Sequence, residues 1–85
     1  MAPHRAAALG EAAAATGARW ARSQRESLHA EGRRASGGWP GTLSEARGHV
    51  RGAAAGLNPE ELAWMARLVY DCARRDWLAA CDPDE

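Results

Sequence analysis

GTLSEARGHVRGAAAGLNPEEL, residues 41–62, decides the fold. It opens one helix, closes it and opens another. Thr42, Leu43, Ser44 and Glu45 have the order of a capping box: the Thr42 hydroxyl can accept from the Glu45 amide while the Glu45 carboxylate reaches back. Leu43, Ala46, Val50, Ala53, Ala54 and Leu57 then follow at helical spacing, with Gly56 as the expected stop. Asn58 is an N-cap, Pro59 fits the first helical position, and Glu60 and Glu61 suit the positive end of a helix.

Downstream, Leu62, Met65, Ala66, Val69, Cys72, Ala73, Trp77 and Ala80 form one broad apolar stripe. Trp64, Leu68, Asp71 and Leu78 form part of a second, which predicts contact on two sides of this helix. The polar residues 82–85 follow, and Pro83 is the expected stop. Upstream, an Ala-rich helix is predicted from about Pro3 to Arg34, ending through Gly32 or Gly37. Leu9, Ala13, Thr16, Trp20, Gln24 and Leu28 mark its stripe. Arg22–Glu26 and Arg25–His29 are i,i+4 pairs on its exposed face. Gly10 and Gly17 each weaken a helix by up to ~1 kcal/mol, so fraying is expected over residues 1–17.

Residues 35–41 form a hinge loop holding Gly37, Gly38, Trp39, Pro40 and Gly41. Pro40 favours an extended backbone at Trp39, and an aromatic residue before proline raises the chance of a cis bond. Trp39 is expected to plug the open end of the helical hairpin; the alternative is an exposed anchor for a partner.

The 85 residues suffice for one small helical domain. Hydrophobic residues make up 46% of the chain, but 21 of them are alanine, and Phe is absent. So lean a core points to help from a partner or a second copy. Net charge is zero but unevenly placed: residues 1–57 carry eight Arg and four Glu, while residues 58–85 carry three Arg and seven acids. Such asymmetry fits an acidic partner, or packing of one half on the other.

Catalysis finds no support in the residue pattern. His29 and His49 lack a nucleophile or carboxylate at a recognised spacing. Asp71 and Asp76 fall about 140° apart on a helix and are no carboxylate pair. Neither a phosphate-cradling glycine loop nor a metal-ligand spacing occurs, so no cofactor is expected. Cys72 and Cys81 point to opposite helix faces and read as free thiols in a reducing compartment, the cytoplasm; an intermolecular disulfide stays open for Cys81. No stretch reaches the ~20 apolar residues needed to span a membrane.

Residues 49–69, HVRGAAAGLNPEELAWMARLV, place two helices across a short turn, as helix-turn-helix modules do. A recognition helix would then present Glu60, Glu61 and Trp64 to phosphates, and two carboxylates oppose that. The stretch reads as a plain helical hairpin. Arg22, Arg25, Arg33 and Arg34 offer another route to nucleic acid, weak and charge-driven, with Trp39 nearby. The expectation is therefore an all-α fold of about three helices: a long N-terminal helix, a Trp-Pro hinge and a two-helix hairpin. Its expected role is a non-catalytic interaction module, an adaptor or regulatory subunit, binding a protein or itself as a homodimer through Trp64, Leu68, Leu78 and Trp39. A nucleic-acid-associated regulator is the alternative.

Overall fold

The Thr42 hydroxyl accepts from the Glu45 amide at 3.1 Å, and the Glu45 carboxylate accepts from the Thr42 amide at 2.9 Å. Both halves of the capping box are thus made, and they start helix α2, Leu43–Ala53. A second capping box starts α3, Pro59–Ala79: Asn58 Oδ1 accepts from the Glu61 amide at 2.8 Å, and Glu61 Oε1 accepts from the Asn58 amide at 3.1 Å. In the computed structural model, which describes residues 2–81, α1 spans Pro3–Ala30 and completes a three-helix bundle. No strand occurs among the described residues, and no helix among them is long and apolar enough to cross a membrane.

The α1 helix ends earlier than the predicted Arg34. Gly32 takes φ +74°, a left-handed conformation that costs glycine little. Its amide donates to His29 O at 3.0 Å, and the Arg33 amide donates to Leu28 O at 2.8 Å. This is a Schellman stop, and it leaves Arg33 and Arg34 in the loop. Similarly, α2 stops at Ala53, before Gly56, whose positive φ instead turns the chain towards α3. The α3 helix ends at Ala79; the expected stop at Pro83 lies outside the described residues.

The α3 helix is the shared partner: α1 packs parallel along it, Arg5 meeting Glu61 and Arg25 meeting Asp76, and α2 packs on it as the other arm of the hairpin. Met65, Ala66, Val69, Ala73 and Trp77 of α3 are buried against Leu9, Ala13, Trp20 and Ala21 of α1 and Ala46 and Val50 of α2. Alanine permits close approach, and Gly17 takes this furthest. A Cβ at Gly17 would lie 2.8 Å from Val69 O and 2.9 Å from Ala73 N, so the backbones of α1 and α3 nearly touch there. The residue expected to weaken α1 is where it docks most tightly.

Two ion pairs clamp α1 to α3. Near one end, Arg5 donates to Glu61 through Nε and, at 3.1 Å, through NH2. Thus the region expected to fray is helical from Pro3 and tied to the start of α3. Towards the other end, Arg25 NH1 donates to Asp76 Oδ2 at 3.0 Å. Arg25 therefore reaches across to α3, where the sequence suggests only an exposed pair with His29 along its own helix.

Donation from Arg5, with help from the Asn58 amide, lowers the Glu61 carboxyl from 4.5 to about 2. Because the folded value is depressed, the stabilising contribution is complete above the unfolded value and is lost as pH falls towards the folded one. Melting temperatures of the wild type should fall between about pH 5 and pH 2, and Glu61→Gln should make that acid limb shallower. Parallel acid limbs would mean that the pair does not report on folding.

Candidate interaction surface

The hinge carries its tryptophan into the bundle. The Trp77 indole N–H, on a fully buried ring, donates to Gly37 O at 3.1 Å and pins the loop to the end of α3. Gly37 reaches the φ of +80° that this path requires. Two residues on, Trp39 meets Trp20 edge-on at 4.8 Å between ring centroids, and Trp77 at 5.5 Å and 62°. On its other side Trp20 stacks on His49 of α2 at 4.5 Å. Gly41 completes the closure: a Cβ there would lie 2.7 Å from Trp20 Cζ2 and would overlap the Trp39 ring.

Trp39 is half-buried in this cluster, the geometry of the expected plug. The Trp39–Pro40 bond is trans, against the raised chance of a cis bond read from the sequence. The Trp39 indole N–H is itself buried and meets no acceptor among the described residues. Since an unsatisfied buried donor costs about 1–3 kcal/mol, Trp39→Phe should change stability by less than ~1 kcal/mol, the lost area offsetting the removed donor. A drop in denaturation midpoint equivalent to ~3 kcal/mol would show that this N–H has found an acceptor.

The other partner-binding candidates do not form one continuous patch. Among the described residues Trp64 and Leu78 are the exposed large hydrophobics, at 41% and 47%. They lie within ~40° of each other around α3 but about 21 Å apart along it. Leu68 is half-buried, with its Cδ2 4.0 Å from where a Cβ on Gly10 would stand. This residue therefore belongs partly to the α1–α3 seam. Asp71 and Arg75 occupy the turns between Leu68 and Leu78, and Asp71 forms an ion pair with Arg67 at 3.4 Å.

Of the arginines proposed for nucleic acid, Arg25 is engaged by Asp76 and Arg33 by Glu31 at 3.4 Å. Arg22 and Arg34 are exposed. The four do not converge on one groove: Arg22 and Arg25 stand on α1, while Arg33 and Arg34 lie beyond its Schellman stop. Glu61 is buried, paired with Arg5 and committed to its cap, so it does not face outward as a recognition residue. Cys72 and Cys81 are half-buried free thiols, and Cys81 Sγ donates to Trp77 O at 3.0 Å. Among the described residues no three His, Cys, Asp or Glu side chains gather as a metal site would need.

Between α1 and α2 lies a feature that the sequence reading missed: an open groove of about 410 Å³. Arg19, Trp20 and Ser23 line one wall, and Gly48, His49 and Gly52 the other. The signal for it was Gly48 and Gly52, one turn apart in a short helix. Comparison with protein-family models, curated proteins and solved structures finds no match.

Proposed function

We propose that the protein is a small, non-catalytic interaction module of the cytoplasm, an adaptor or regulatory subunit that docks a protein partner, a second copy of itself included. The observation that carries this reading is the pair Trp64 and Leu78. A large aromatic and a large aliphatic side chain stand exposed on one side of α3, in a chain with few large apolar residues for its own core. Tryptophan is strongly enriched among residues that dominate binding energy. A partner helix of about four turns laid along α3 would reach both ends of this stripe.

Sedimentation equilibrium of the full chain at micromolar concentration tests self-association. The expected result is a mass above the 9.1 kDa monomer that returns to it in Trp64→Ala. Exposed positions tolerate such a change within ~0.5 kcal/mol, so the melting curve should stay in place. A monomer in the centrifuge, together with retention of no protein from the source cell by the immobilised chain, would overturn the proposal. The nucleic-acid reading remains the alternative. It is weakened by the acids that already hold Arg25 and Arg33.

A further inference from the structure

We infer that the groove between α1 and α2 is a binding site for an acidic peptide segment. This deepens the reading of the protein as an interaction module but uses a different face from Trp64 and Leu78. First, no carboxylate lines the groove, and its charged or titratable groups are the Arg19 guanidinium and the His49 imidazole, with the Ser23 hydroxyl between them as a further donor. Second, Arg19 has no acidic partner among the described residues. Its one described hydrogen bond is a long one, 3.4 Å, to the Thr16 hydroxyl. Arg5, Arg25, Arg33 and Arg67 each hold a carboxylate; several other described arginines share Arg19's lack of one, but Arg19 lines a groove with no carboxylate in its walls.

Third, nothing lies within 4 Å of a Cβ built on Gly48 or Gly52. Two glycines one turn apart are a standing cost to so short a helix, and neither is required here by a turn or by packing within the chain. What they provide is a wall of bare backbone against which an extended segment can lie. Finally, the stack of His49 on Trp20 fixes the imidazole at the rim. A carboxylate reaching Arg19 would make a charge-assisted hydrogen bond, stronger than a neutral one. A nucleic-acid strand fits less well. It needs cations that track its phosphates, and Arg47 and Arg51 stand on α2 outside the groove lining.

The probe is an acetylated hexaglutamate peptide titrated into the isotope-labelled full chain and followed by amide NMR shifts. The expected shifts centre on Arg19, Gly48, His49 and Gly52 and shrink as salt rises from about 0.05 to 0.3 M. Arg19→Gln should weaken binding about tenfold, as should Gly52→Gln, which fills the groove and favours helix. Trp64→Ala should leave the affinity unchanged, which separates this site from the α3 face whatever the centrifuge shows. Several outcomes would overturn the inference: no shift at millimolar peptide, equal shifts with hexaglutamine, or shifts centred on Arg33, Arg34, Arg47 or Arg51. Stronger shifts of the groove amides by an oligothymidylate would also overturn it and assign the face to nucleic acid.

Discussion

Trp77→Ala is expected to leave the protein barely folded. The ring is fully buried at the meeting of α1, α3 and the hinge, with Trp39 against it. Removing a large buried aromatic costs about 3–5 kcal/mol, because the cavity only partly collapses. The Gly37 carbonyl also loses the indole donor that holds the loop. A domain of this length commands roughly 4–13 kcal/mol in all, so the loss is a large share. At this size each kcal/mol moves the melting temperature by about 4–8 °C, so the midpoint should fall by roughly 15–30 °C or the transition should vanish. Trp39→Ala should cost less, since Trp39 is only half-buried, and Trp77→Phe should keep most of the packing. Thermal melts followed by far-ultraviolet dichroism read all three; a Trp77→Ala curve coincident with the wild type would remove this ring from the core.

Gly17→Leu is the second large effect, and its sign opposes what helix propensity dictates. Replacing a helical glycine gains up to ~1 kcal/mol where space allows. At Gly17 the new Cβ would meet the backbone of Val69 and Ala73 at 2.8 and 2.9 Å, and Cys72 Cβ at 2.9 Å. Backbone atoms cannot swing aside as a flexible side chain does, so α1 and α3 must separate along the seam. Overpacking of this kind costs typically 1–3 kcal/mol, and the leucine branch beyond the Cβ takes the loss to about 3 kcal/mol. Gly10→Ala is the control on the same helix. Its nearest neighbour is a leucine methyl at 4.0 Å, an ordinary contact, so stability should hold or rise. Denaturant midpoints of the two variants should move in opposite directions; a stabilised Gly17→Leu would refute the close approach.

The helix starts were legible because capping is local. Thr42 and Glu45 lie three residues apart, and so do Asn58 and Glu61. Even so, Glu61 reads from the sequence only as a favourable charge at a helix end. Its capping box with Asn58 is local, but that it also takes Arg5 depends on a residue 56 positions away, which no local pattern reveals. The same distance hides Arg25–Asp76, and this is why exposed i,i+4 pairs were the natural expectation. Gly17 misleads for a related reason. Propensity registers what a glycine takes from its own helix, but not what the missing Cβ allows a second helix to do. The groove escaped notice because it is a space between α1 and α2, set by the angle at which each lies on α3. Of the surface candidates, Trp64 and Leu78 were legible from their spacing; Leu68 was not, since the α1–α3 seam covers part of it.

Both α1 and α2 rest on α3, and α3 follows them in the chain. Synthesis therefore finishes the two outer helices before the surface they pack on exists. The hairpin of α2 and α3 closes over a short turn, whereas α1 waits for partners more than 50 residues downstream. Until then its face of Leu9 and Ala13 is bare on the nascent chain, and an Ala-rich helix without a docking partner is only marginally stable in water. The core of the bundle is thus incomplete until α3 has been made. The bundle assembles after translation of α3, in a late step that is sensitive to whatever binds an unpaired apolar helix in the meantime.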